Sequence, residues 1–163
     1  MKYSAQNWVE KLQLQPHPEG GYFKETYRSS VSNNFDGFEG IRNVSTGIYF
    51  LLTKNNFSAF HRIKSDEMWH FYAGDALEIF VIDRNGKLEI IKLGTDLEHG
   101  EVPQAVVPAN CWFASRVFKL GSFSLVGCTV APGFDFADFE MAERDDLTKH
   151  YPQHTDIIRE LTR

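Results

Sequence analysis

Glu67-Met-Trp-His70-Phe-Tyr-Ala-Gly74 is the stretch on which the fold turns. Glu67 and His70 stand three apart, a spacing that brings two metal ligands onto one face of a helix in di-metal bundles. Three aromatic residues in so short a run, closed by a glycine, belong instead to a strand. Residues three apart on a strand face opposite ways, so Glu67, Trp69 and Phe71 point to one side and Met68, His70 and Tyr72 to the other. Glu67 and His70 therefore do not share a site, and His70 is expected at a surface or interface.

Short runs of the same character lie on both sides: IYFLL (48–52), FSAFH (57–61), ALEIFVI (76–82), KLEIIKL (87–93), QAVV (104–107), CWFAS (111–115) and SFSLVGCTV (122–130). Turn residues separate them at the regular spacing of a sandwich or barrel. Asn85-Gly86 between two of the runs predicts a hairpin with a type I′ turn, which needs positive φ at both central positions. Before this core, Trp8, Val9 and Leu12 recur at helical spacing behind a Ser4 N-cap, and Pro16 ends the pattern. A strand is expected over 22–27 after Gly20-Gly21, and a polar loop over 33–40. After Pro132-Gly133, residues 141–150 and 155–161 show helical spacing, which predicts helices packed outside the barrel.

The totals agree with a mainly β protein of one domain, 1–163. The 163 residues are 42% hydrophobic and 14% aromatic, with 14 phenylalanines, enough to fill one core. A net charge of −5 without any Lys/Arg run offers no footprint for nucleic acid or anionic lipid. The N-terminus lacks the apolar stretch of a signal peptide and no segment reaches membrane-spanning length, so a cytoplasmic protein is expected. Cys111 and Cys128 have no CxxC spacing and sit in apolar runs, as buried reduced thiols do.

His61-Arg-Ile-Lys-Ser-Asp-Glu67 sets a histidine and a glutamate just ahead of the aromatic strand. Together with Gly74 this spacing resembles the first cupin motif, a glycine, HxH, a glutamate and a closing glycine that supply most of a metal site. Asn55 stands at the leading glycine and Ile63 at the second histidine. The second motif is echoed in Pro108-Ala-Asn110-Cys-Trp-Phe113, where Phe113 stands at the last ligand histidine. With the set reduced to His61 and Glu67, tight transition-metal binding is not expected, and no cofactor is expected either. A histidine steered by a carboxylate can still move protons.

His17-Pro-Glu19-Gly-Gly-Tyr22-Phe-Lys-Glu25-Thr-Tyr27-Arg28 puts ionisable and aromatic residues on one extended strand. It resembles the opening strand of the dTDP-4-dehydrorhamnose 3,5-epimerase family, also cupins, whose sugar-nucleotide pocket is lined by an acid, a glycine, a phenylalanine and a glutamate in the order of Glu19, Gly21, Phe23 and Glu25. Gly20 takes the place of that family's arginine. Over nearly the whole chain, HPEGGYFKETYRS, FHRIKSDEMWHFYAG, VPANCWF and LVGCTVAPGFDFADFE resemble the cupin-5 family. The resemblance implies a jelly-roll (double-stranded β-helix) barrel with short flanking helices, a homodimer, and a polar pocket for a small molecule.

The expected site has His61 as proton-transfer group, Glu67 as its orienting or acidic partner, and Tyr22, Glu25, Arg28 and Trp69 as ligand-binding walls. The residues 132–138 read first as a capped surface turn, with closure of one barrel mouth as the alternative. The expected ligand is a small polar metabolite, sugar-like or anionic. A metal-independent isomerase or epimerase fits this set, with a non-catalytic binding protein and a metal-dependent cupin enzyme as the alternatives.

Overall fold

Antiparallel strands are the commonest element of the computed structural model, which describes residues 3–118 and 121–163. The strands are β1 (Gln15–Pro16), β2 (Tyr22–Arg28), β3 (Ser32–Asn34), β4 (Ile41–Asn43), β5 (Thr46–Thr53), β6 (Phe57–Arg62), β7 (Asp66–Gly74), β8 (Leu77–Ile82), β9 (Leu88–Leu93), β10 (Gln104–Val107), β11 (Trp112–Val117), β12 (Phe123–Ala131) and β13 (Glu140–Met141). One sheet runs β1-β2-β5-β12-β7-β10, a second β13-β6-β11-β8-β9, and β3 pairs with β4 alone. The two large sheets face each other as a jelly roll.

The inner faces meet in a core that includes Phe50, Leu52, Trp69, Ile79, Leu93 and Phe113, all nearly or wholly removed from water. Each such side chain contributes roughly 1.5–3 kcal/mol of hydrophobic stabilisation. Two further clusters cover the outer faces. Helix α1 (Ala5–Leu12) lays Trp8, Val9 and Leu12 against Leu51 and Leu125, while α2 (Arg144–His150) and α3 (Thr155–Glu160) seat Leu147, Ile158 and the adjoining Leu161 against Phe60 and Phe80. The Ser4 hydroxyl accepts from Asn7 N, the N-cap expected at the start of α1, and Asn7 reciprocates to the Ser4 N–H to complete a capping box. None of the described helices is long and apolar enough to cross a membrane. Both cysteines are free and buried.

Two local expectations need correction. The hairpin between β8 and β9 forms, but only Gly86 has positive φ. The Asp83 carboxylate accepts from the N–H groups of Asn85 and Lys87, and Gly86 N donates to Asp83 O. The loop therefore closes as an ordinary turn ending in a left-handed glycine, because an Asx side chain stabilises the αR alternative locally. The polar segment 33–40 is also less loop-like than its composition suggests: its first residues pair with β4 as the hairpin β3–β4.

Candidate functional site

Register sets the rows that face the barrel interior. Glu67 on β7 lies opposite Val130 on β12, Val130 opposite Thr46 on β5, and Thr46 opposite Arg28 on β2. The next row inward is Trp69, Cys128, Ile48 and Glu25, and the one below holds Phe71, Val126, Phe50 and Phe23. Cross-strand partners share a face. The β2–β5 register slips between Glu25 and Tyr27, so Thr26 is the extra residue of a bulge. That slip brings Arg28 onto the face of Glu25 despite their odd separation. The upper rows and the facing sheet enclose a cavity of about 280 Å³.

The turn between β1 and β2 drops two further polar side chains into this space. His17 N donates to Gly21 O and Gly20 N to His17 O, closing the turn. Gly20 has φ +115°, and a Cβ there would lie 2.0 Å from the carbonyl oxygen of Phe57. No other residue fits that approach. The Glu19 carbonyl accepts from Ala59 N at 2.8 Å and from the Arg163 guanidinium at 2.6 Å, which fixes the turn against β6. Its carboxylate, buried, reaches His61 Nε2 at 3.0 Å.

His61 Nδ1 lies 2.7 Å from the carbonyl oxygen of Ala59. That oxygen only accepts, so Nδ1 carries a proton, and Nε2 faces a carboxylate. Burial pushes His61 down, but the Glu19 charge and hydrogen bond, helped by the Ala59 carbonyl, outweigh it and hold the imidazole above its ordinary value. Burial likewise pushes Glu19 up, and the His61 charge and hydrogen bond leave it below the usual carboxylate range. The two form a buried ion pair. His17, which accepts from Glu19 N through Nδ1, is lowered by burial against the opposing Glu19 charge.

Glu67 behaves differently. Burial and the neighbouring Glu19 charge raise it to about 7, against smaller opposing effects of His61 and of the Cys128 thiol, which donates to it. Burial, and Glu67 beside it, push Cys128 well above the ordinary thiol range. Its surroundings thus hold Glu67 in the neutral range.

The mouth is built by Glu25, Arg28 and the segment after β12. Arg28 Nε and Nη2 donate to the two Glu25 oxygens at 2.9 and 2.7 Å, while Nη1 reaches Asn43 and Nη2 also reaches Phe134 O. Phe134 N donates to Thr46 Oγ1, and Asp135 caps the short turn through Ala137 N. A buried bidentate pair, Arg42 with Asp138, ties this segment to β4. Phe134 and Phe136 meet edge to face at 4.9 Å and form the outer wall.

Of the residues expected at the site, His61, Glu67, Glu25 and Arg28 line the cavity, and residues 134–136 close its mouth. Trp69 does not reach it. Trp69 shares the Glu67 face but is 1% exposed, packed edge-on against Phe50 and Phe113 within the core. Tyr22 points the other way, into the cluster under α1, because it has the opposite parity to Phe23 and Glu25. The carboxylate that orients His61 is Glu19 rather than Glu67. Glu19 was legible as the pocket acid of the epimerase-like strand pattern, but nothing local says that a turn residue reaches across to His61 on another sheet.

The donor set does not fit the metal centre of the cupin motif. Ile63 and Phe113 bring no lone pairs to two of its positions, and His61 Nε2 faces Glu19. Among the described residues no group of three or more His, Cys, Asp or Glu could hold a metal ion.

The chain is similar to several solved and curated proteins. A hypothetical protein from Leishmania major is 37% identical, with a TM-score of 0.93 over 98% of this chain and 99% of that one. A protein from Shewanella oneidensis is 42% identical, with a TM-score of 0.90 over 99% and 98%. An uncharacterised protein of Saccharomyces cerevisiae is 34% identical over 90% of this chain and 79% of its own length. Oxalate decarboxylase from Bacillus subtilis shares the fold at 11% identity, with a TM-score of 0.56 over 90% of this chain and 36% of that one. The family model described as cupin superfamily, DUF985, matches residues 6–142, and the chain belongs to that family.

Proposed function

We propose that the protein binds a small polar metabolite in this cavity and moves a proton on it without a metal, as an isomerase or epimerase does. The observation that carries the reading is Glu67, buried, facing the cavity and held at about 7, beside a fixed Glu19–His61 pair. A base works best with a value near the operating pH. In the proposed step Glu67 takes the proton from a carbon next to a carbonyl. The C–H bond breaks, its electron pair moves to the carbonyl oxygen as an enediolate, and the His61 imidazolium offers positive charge nearby. Returning the proton to carbon completes the exchange. Of the two ligand types suggested by the sequence, the hydroxylated, sugar-like one fits better than the anionic one, because Arg28 already holds Glu25 with a bidentate bond.

A second reading, binding without turnover, is favoured by His61 having both ring nitrogens against oxygens, which leaves Glu67 as the group open to proton exchange. Incubation with hydroxy-carbonyl compounds in deuterium oxide separates the two. Deuterium entering next to the carbonyl, abolished by Glu67→Gln, supports catalysis; saturable thermal shifts without exchange support binding alone; neither effect with any compound overturns both. We further propose a homodimer through the outer face of β7 and β10, where Met68, Tyr72 and Val106 are exposed and β10 ends the sheet. Light scattering that gives a monomer at micromolar concentration overturns it.

A further inference from the structure

The cations around the cavity are committed and two of its carboxylates are not. Arg28 is clamped by Glu25, Arg42 behind the mouth is clamped by Asp138, and His61 is paired with Glu19. Among the described residues Asp135 makes no ion pair: it accepts from Ala137 N and acts on Arg28 and Arg42 only through their longer-range charge. Glu67 is 8% exposed, and its hydrogen-bonding partner among the described residues is a thiol, a weak donor for a group with two oxygens to satisfy. A buried carboxylate so poorly supplied with donors calls for a donor from outside the chain. The walls between these acids are aromatic: Phe23, Phe134 and Phe136 turn toward the same space. Ring faces carry negative potential and attract a cation at close range.

We propose that the cavity selects a small organic cation, a hydroxylated metabolite that also carries an ammonium group, seated between Glu67 and Asp135 and against the phenylalanine wall. The ammonium supplies the charge and the N–H or polarised C–H donors that Glu67 lacks. Among the described residues an anion finds no cation that is not already paired, and it meets the Glu67 and Asp135 carboxylates. The cavity, about 280 Å³, stands just under the range of roughly 300–1,000 Å³ usual for ligand pockets, which fits a compact molecule. This proposal rests on the reading of the cavity as a small-molecule site.

Three probes of one shape and different charge test it: choline, its uncharged carbon isostere tert-butyl ethanol, and the tert-butylacetate anion. Calorimetric titration of the full-length protein at low salt and about pH 8, where Glu67 is ionised, gives the order directly. Choline is expected to bind at least about fivefold tighter than the alcohol, the margin of one desolvated cation–π contact or one poorly screened charge, with the anion weakest. Asp135→Asn keeps the cap on Ala137 N and is expected to shrink the choline-to-alcohol ratio. Equal binding of the two, tighter binding of the anion, or no heat with choline overturns the proposal. Native mass spectrometry that finds a neutral or anionic molecule bound in the cavity also overturns it, while leaving the small-molecule reading intact.

Discussion

The upper and lower ends of the barrel are made from the same strands and differ in what they hold. On β5 and β12, Thr46, Ile48, Cys128 and Val130 line the cavity, while Phe50, Leu52 and Val126, a few residues along the same faces, are packed shut. On β7 the change comes within one step of the alternation, from Glu67 in the wall to Trp69 in the core. Strand pattern alone does not separate the two ends. The separation comes from the other sheet and from the turns: the HPEGG turn brings Glu19 over the upper end, whereas Leu77 and Ile79 fill the lower one. A polar residue is tolerated inside where an oppositely charged partner arrives from elsewhere in the chain.

The largest expected effect breaks the packed end. Trp69→Ala is expected to cost about 3–5 kcal/mol in urea unfolding, since it empties a wholly buried site. Trp69→Phe is expected to cost much less, because the indole N–H has no acceptor to lose. Equal losses would show that Trp69 is held by more than volume.

At the cavity end, His61→Asn leaves Glu19 buried without its cation, and a loss of about 3 kcal/mol is expected. The pH window follows from the shifts. His61, raised in the fold, contributes fully below its ordinary 6.5 and loses that contribution as pH rises through its folded value. Glu19, lowered, contributes fully above its ordinary 4.5 and loses it as pH falls through its folded value. The pair is therefore worth most between these two ordinary values, and the cost of His61→Asn should be greatest there. A cost that does not vary from pH 4 to pH 9 contradicts the pairing.

Glu67 should share the pH sign of His61 and oppose that of Glu19. Its folded value of about 7 lies above the ordinary 4.5, so the native state binds more protons between them and stability falls as pH rises through that interval. The span corresponds to about 3 kcal/mol. Glu67→Gln fixes the uncharged form, so this variant should match the parent near pH 4.5 and exceed it at pH 8 by up to that amount. Unchanged stability at pH 8 would place Glu67 in water. The smallest effect belongs to the mouth: Glu25→Gln breaks a half-exposed ion pair and is expected to cost under about 1 kcal/mol, read as a shift in thermal midpoint.

Much of the molecule was legible in the chain because the signals are local. Period-two alternation named the faces of β7 correctly, including the inward Glu67 and the outward Met68 and Tyr72; a serine cap and apolar spacing located α1; and the cupin spacing of His61 and Glu67 selected two residues that line one cavity. The same parity rule, applied strictly to β2, would have turned Tyr22 outward, and the bulge at Thr26 is what the alternation could not show.

What the tertiary structure decided is which charges meet. Glu19 and His61 are 42 positions apart in the numbering and lie on a turn and on a strand of the opposite sheet, yet they form the buried ion pair. Arg28 reads as an anion site until Glu25 is seen to occupy it. Burial and partner charge, both properties of the folded surroundings, set the values of Glu67 and His61 in the same direction for different reasons. Residue type and spacing along a chain fix which face a side chain takes, because that depends on its own backbone. They do not fix its dielectric surroundings or its partner, because those depend on segments far away in sequence.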